Sequence, residues 1–318
     1  YQTRFWLENK TVKIIEKSSS RFLLELFSKV DDLTDRDLVY YDNAMDMETC
    51  FDKYLFQEYK WHKTPNGDTE WVYMLNRHGY LVDLAIAFYL TKKEKYLEKW
   101  KQIIFDFIKT NEDEISHPEA SWRVLDAGIR LMNWIKSLTY LPFDKLTEVE
   151  KVSIHASMKQ HADYIRSHLQ EKHLLSNWGV LAVSGVLSFV YFDTKELEMH
   201  EWAKKTLMQQ ATLQFTPKGI HWEQSPLYHH EVVMCYAYLY QVAETLDNGD
   251  ADVWKNILRN PVQATYYLSN SKQELLALND SDTVDFSWVQ SYYHLLGFDS
   301  LCTDYETGLI FAGNIFSK

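Results

Sequence analysis

A chain of 318 residues, 46% hydrophobic and 25% charged, has the composition of a folded protein with a large core. Its formal charge of −12 at pH 7 argues against a nucleic-acid partner, which needs a basic surface to displace counterions. No run of 18 or more apolar residues occurs, so no membrane span is expected.

Ten glycines and six prolines are few for this length, which favours long regular elements joined by short loops. Before them, the chain opens with Tyr1-Gln2-Thr3, without an initiator Met or a signal-peptide core, so a processed or truncated chain is expected. From residue 71 to 267 the hydrophobic spacing predicts successive amphipathic helices, over 72–90, 93–109, 121–138, 147–169, 176–192, 195–215, 226–246 and 253–267. Short polar links between them favour antiparallel neighbours, and four or five such hairpins in series point to an incomplete α/α toroid. This inference rests on helix number and connection length, because no fixed-period repeat is evident. The tail changes character: 273–282 reads as an extended segment entering a polar turn, and 308–313 reads as a strand. A strand needs a sheet, so the natural protein is expected to continue into a β-domain. The expected division is a lead-in with helices over 1–60, a helical catalytic domain over 61–272, and a linker with the first strand of a truncated β-domain over 273–318.

Three cysteines, Cys50, Cys235 and Cys302, are too far apart to define a disulfide framework or a metal site. Aromatics make up 15% of the chain, a supply that suits stacking on sugar rings as well as core packing. The segment 217–231 is the most informative. Ser225 and Pro226 have the form of a helix N-cap and first turn, and Gly219 permits a tight turn ahead of them. Tyr228 then lies near the positive end of the helix dipole, which is expected to lower its pKa and suit it to proton exchange. The competing reading is a polar helix entry with an interfacial tyrosine. Asn177 starts another helix, where Ser176 or Asn177 would also serve as an ordinary cap. Arg77 and His78 are read as opening a helix. Arg123 follows Trp122, with Arg130 two turns later on a similar face.

Taken in order, Asn76-Arg77-His78, Trp122-Arg123, Ser176-Asn177-Trp178, Gly219-Ile220-His221-Trp222-Glu223-Gln224-Ser225-Pro226-Leu227-Tyr228-His229 and Asn279-Asp280-Ser281-Asp282 resemble the heparinase II/III-like polysaccharide lyases. The likeness covers about residues 60 to 312, and the G-x-H-x-E-x-S-x-x-Y-H run is its specific part. It implies an α/α toroid followed by an antiparallel β-sandwich, with the active site between them. It also implies that Asn177 contacts the substrate carboxylate, that Tyr228 transfers the proton, and that the setting is bacterial and extracytoplasmic: periplasmic, secreted or at the cell surface. Two departures matter. Trp178 stands where many relatives carry His, and a further family His comes from the β-domain, so activity is expected to need that domain.

The chemistry explains the residue types. β-Elimination removes the C5 proton of a uronate and expels the O4 oxygen. The adjacent carboxylate must be neutralised before it can accept charge. Asn177 can donate its amide, Arg77 or Arg123 can add charge, and Tyr228 can act as base, acid or both. His229 or His221 would assist or hold Tyr228 in place. The expected site is therefore Tyr228, Asn177 and His229 for catalysis. Substrate contacts are expected from Arg77, His78, Trp122, Arg123, Trp178, His221 and Glu223. The partners are an acidic polysaccharide and the chain's own β-sandwich. No cofactor or metal is required, and His221, Glu223 and His229 do not match H-E-x-x-H. Three other readings stay open: a toroid glycoside hydrolase using two of Asp83, Asp126, Glu223, Glu231 and Asp280, a non-catalytic carbohydrate-binding or scaffold module, and a generic helical interaction protein.

Overall fold

The computed structural model describes residues 20–40, 52–56, 60–111, 115–193, 195–246, 248–283 and 285–298. These are overwhelmingly helical. The sheet among them is one short antiparallel pair, β1 (Leu38–Val39) with β2 (Tyr54–Leu55), in the register Leu38 to Leu55. The strand expected over 308–313 lies outside the described residues, as do Cys50 and Cys302. No described helix is long and apolar enough to cross a membrane.

The chain divides into two compact units. The first comprises residues 1–169 and 185–200, the second 170–184 and 201–318. In the first lie α1 (Ser20–Arg36), α2 (Thr69–Arg77), α3 (Gly79–Thr91), α4 (Glu94–Thr110), the single turn α5 (Pro118–Ser121), α6 (Val124–Tyr140) and α7 (Glu148–His168). Consecutive members α3 and α4, and α6 and α7, pack side by side across short links, which requires them to run in opposite directions. Their apolar faces meet around Trp71, Trp100, Trp122 and Trp134, all fully buried.

Helix α9 (Asn177–Phe192) contributes residues to both units. The second unit also holds the turn α8 (Glu171–Leu174), most of α10 (Leu197–Gln214), then α11 (Pro226–Thr245), α12 (Ala251–Tyr267) and α13 (Ser287–Leu295). The α11–α12 pair is its most extensive packing, with Tyr236 and Trp254 at the centre. Helix α13 was not expected from the sequence: nine residues carry too few turns for the period to stand out.

Two predicted helices are interrupted. The span 72–90 is two helices, because His78 adopts a left-handed conformation (φ 57°, ψ 31°) between α2 and α3. Asn76-Arg77-His78 therefore closes a helix rather than opening one. The span 121–138 likewise divides, since Trp122 and Arg123 form a non-helical corner between α5 and α6.

Candidate functional site

In the first unit the corner residues form an ionic cluster. The Asp126 side chain is fully buried and accepts from Arg77 Nε at 2.8 Å and Arg123 Nε at 2.5 Å. Two guanidiniums share this carboxylate, and Arg77 Nη2 also lies 3.9 Å from Glu70 Oε2, so the cluster holds two cations and two carboxylates. Both arginines keep 18% of their side-chain surface exposed, and the Arg123 guanidinium lies over the Tyr73 ring at 3.1 Å.

His78 and Trp122, expected as substrate contacts, are interior groups with no exposed surface. Trp134 donates its indole N–H to His78 Nδ1 at 2.8 Å, and Trp122 donates to Asn111 Oδ1 at 2.9 Å. Burial, followed by the nearby Arg130 charge, holds the His78 imidazole well below the ordinary histidine range. These residues support the corner and cannot meet a solute without rearrangement. Arg130, also fully buried, ties the corner together by donating to the carbonyls of Asn76 and Ser121, each at 2.8 Å.

In the second unit the 217–231 segment is built as its sequence suggests. Gly219 turns at φ +83°, and a Cβ there would fall 2.2 Å from the Asn260 carbonyl carbon. Ser225 caps α11 by accepting the Tyr228 N–H, and Pro226 occupies the first turn. The polar turn 279–282 docks on this helix start. Asn279 donates to the Gln224 carbonyl at 2.8 Å, Ser225 donates to the Asp280 carbonyl at 3.1 Å, and Leu227 N–H donates to Ser281 Oγ at 3.1 Å. The Tyr228 hydroxyl donates to Asp280 Oδ2 at 2.7 Å.

The lowered pKa expected for Tyr228 is not what the surroundings produce. Burial raises it, and the Asp280 hydrogen bond and the charges of Asp280, Glu231 and Glu223 add to the rise. Three carboxylates outweigh the half-charge of a helix terminus. Tyr228 is thus a proton-loaded phenol in the resting protein.

Asn177 lies in the same unit and is almost fully buried. Ser176 Oγ donates to its Oδ1 at 3.3 Å, so its Nδ2 faces Glu231 Oε2, at 3.5 Å. Its backbone N–H is accepted by Glu223, whose carboxyl is pushed up by burial. Trp178 is exposed beside it. His229, expected among the catalytic groups, is an interior strut. Its Nδ1 accepts the His221 N–H at 3.3 Å, and its Nε2 meets the Pro261 carbonyl and Thr265 Oγ1, each at 3.1 Å. Burial takes its pKa down to about 3. His221 is also fully buried, which replaces direct substrate contact with a supporting position. The structure thus gathers Asn177, Glu223 and Tyr228 with Asp280, Glu231 and Gln214; the sequence offered Asp280 and Glu231 only as hydrolase carboxylates, and Gln214 not at all. Glu231 carries a visible signal, a carboxylate three residues after Tyr228, and Asp280 lies in the polar turn 279–282; Gln214 carries none.

Comparison with known proteins identifies this arrangement's lineage. Residues 10–298 match the model for the heparinase II/III N-terminus. The chain belongs to the heparinase II/III family. A heparin-sulfate lyase of Bacteroides thetaiotaomicron is 24% identical over 190 residues, which cover 58% of this chain and 27% of that protein. The crystal structure of heparinase III superposes with a TM-score of 0.70 at 17% identity, covering 93% of this chain and 47% of that one. A heparan sulfate lyase from Pedobacter heparinus gives 0.66 at 17% identity, covering 92% and 45%. This heparinase II/III chain therefore spans less than half the length of these relatives. The fold is the expected one, all-α and of the α/α-toroid class seen in the helical half of heparinase III.

Proposed function

We propose that the polypeptide carrying this chain is a polysaccharide lyase that cleaves a uronate-containing polymer by β-elimination, in a periplasmic or secreted setting. The observation that carries the reading is the Tyr228 hydroxyl, hydrogen-bonded to Asp280 at 2.7 Å at the start of α11. Asn177 turns its amide N–H side to the Glu231 carboxylate at 3.5 Å, so the amide is oriented to donate to an anion. In this reading Asn177 binds the uronate carboxylate and withdraws charge from it, which acidifies the C5 proton. Tyr228 passes its phenolic proton to Asp280 as its oxygen takes the C5 proton. The C5–H pair forms the C4–C5 double bond, the C4–O4 bond breaks, and the Tyr228 proton goes to O4. Returning the Asp280 proton to Tyr228 resets the site only after loss of product. The Arg77–Asp126–Arg123 cluster, whose two guanidiniums stay partly exposed, is proposed as an anion-contacting patch of the first unit. The whole polypeptide, including a β-sandwich beyond residue 298, is the proposed active form.

The test follows ultraviolet absorbance of the new conjugated double bond, using full-length protein on a panel of uronate polymers. Absorbance should rise with wild type and fall at least about 1000-fold in rate with Tyr228→Phe, the scale expected for losing a proton-transfer group. A Tyr228→Phe variant as fast as wild type would overturn the assignment. One observation favours a second reading, a glycoside hydrolase: Glu223, Glu231 and Asp280 all act on Tyr228, and Glu223 is pushed up as a general acid would be. New reducing ends without absorbance would establish it in place of the lyase.

A further inference from the structure

Among the tryptophans whose side chains are described, Trp178 and Trp222 are the ones left exposed, at 40% and 48%. Both lie in the second unit, each next in sequence to a residue of the site, Asn177 and Glu223. Leu175 is exposed as well. Large apolar groups left in water around a polar cluster mark a ligand-facing surface, whereas core packing would bury them.

Trp222 is also fixed in place. Its backbone N–H donates to the Gln214 carbonyl at 2.8 Å, and its indole N–H donates to the Leu175 carbonyl at 2.6 Å. The carbonyls on either side, of Leu174 and Ser176, accept from Gln214 Nε2 at 2.8 and 3.1 Å. Two side chains thus hold three successive carbonyls of the turn that leads into Asn177, and one of them is the exposed indole. Leu175 and Asn177 are two residues apart, so their Cα atoms are separated by at most about 7 Å. The ring and the Asn177 amide therefore belong to one rigid piece, and one polymer chain can span both.

Capping a carbonyl requires only a donor. It does not require a ring system with half its surface in water, which is unfavourable for an apolar group. A locked ring, however, loses little further freedom when a ligand lands on it. Charge opposes an acidic polymer at this corner of the unit, because the carboxylates of Asp280, Glu231 and Glu223 all act on Tyr228. An aromatic face meets the C–H face of a pyranose whatever the charge of the polymer.

We propose that Trp222 is a sugar-stacking residue of the second unit, its indole held by the Leu175 carbonyl so that its open face takes a pyranose next to the uronate at Asn177. The class of ligand rests on the lyase reading; the rigidity and exposure of the ring do not.

The experiment measures binding and turnover separately, on full-length protein. Hyaluronan, heparan sulfate and alginate are titrated by calorimetry into Tyr228→Phe protein, and initial rates are taken with Tyr228 intact. Trp222→Ala should weaken the tightest of these associations by at least about tenfold, and should raise KM by more than it lowers kcat. Trp222→Phe keeps a ring face and loses the N–H, so it should recover most of that affinity. Polymer should also change the tryptophan emission, by less in Trp222→Phe than in wild type; this readout stands even if Trp222→Ala fails to fold. Unaltered affinity in Trp222→Ala, equal losses in the two variants, an undiminished emission change, or no binding of any probe each overturns the proposal. Lowered thermal stability of Trp222→Ala with affinity intact also overturns it, and assigns the ring to a contact with the rest of the polypeptide. Trp222-dependent binding, with no turnover by wild type on any polymer, would refute the lyase reading and leave the stacking role standing.

Discussion

Asp126→Asn isolates the energetic centre of the first unit. The substitution keeps the side chain's shape and one acceptor while removing the charge that Arg77 and Arg123 share. The carboxylate is fully buried, and it receives Arg77 Nε at 2.8 Å, Arg123 Nε at 2.5 Å and Arg123 Nη2 at 3.2 Å. Breaking a fully buried ion pair costs about 3–5 kcal/mol. Both guanidiniums here reach water, Arg77 keeps Glu70 at 3.9 Å, and Arg123 keeps the Tyr73 ring. These partners recover part of the loss, so the expected destabilisation is about 2–4 kcal/mol. In a protein of this size that lowers the first thermal transition by roughly 5–15 °C. Urea denaturation of the full-length protein, followed by tryptophan fluorescence, measures it directly. A double-mutant cycle with Arg77→Ala should return a coupling above about 1 kcal/mol. A loss below about 0.5 kcal/mol, the scale of an ordinary surface change, would refute the account of Asp126 as the clamp of the corner.

Three further outcomes follow from the same structure. His221 and His229 have folded pKa values near 4 and 3 against an ordinary 6.5, so each contributes stability that is present above 6.5 and lost as pH falls toward those values. Each should add a slope of about 1.4 kcal/mol per pH unit between pH 6 and 5, above most carboxylate titrations; a flat urea midpoint there would contradict their burial. Gly185→Ala would put a Cβ 2.2 Å from the Gly128 carbonyl oxygen on α6, costing at least about 2–3 kcal/mol, whereas Gly249→Ala meets nothing within 4 Å and should stay within about 0.5 kcal/mol. Equal urea midpoints for the two variants would refute the close helix crossing. Ser225→Ala removes both the cap on the Tyr228 N–H and the bond to the Asp280 carbonyl, and calorimetry should record a loss of about 1–2 kcal/mol; no change would mean that the cap is not formed in solution.

Much of the architecture is local information. Hydrophobic period, few glycines and prolines, and short polar links determined an all-α chain of paired helices. The Ser225-Pro226 cap and the Gly219 turn were legible because each depends on the conformational limits of one or two residues. The same locality explains the failures. The break at His78 was invisible, since a left-handed histidine is held there by Trp61 and Trp134, residues remote in sequence. Tyr228 read as an acidified phenol when only its own helix dipole was considered. Burial, then the hydrogen bond to Asp280, 52 residues away, with the charges of Asp280, Glu231 and Glu223, reverse that sign. His78, Trp122, His221 and His229 carry polar atoms that suggest contact with a ligand, yet tertiary packing buries them and spends their hydrogen bonds on protein partners. The sequence by itself determined which groups are available and where most of the helical stretches lie. Tertiary structure decided which charges face one another, and pKa values, tautomers and access follow from those distances, which no local pattern encodes.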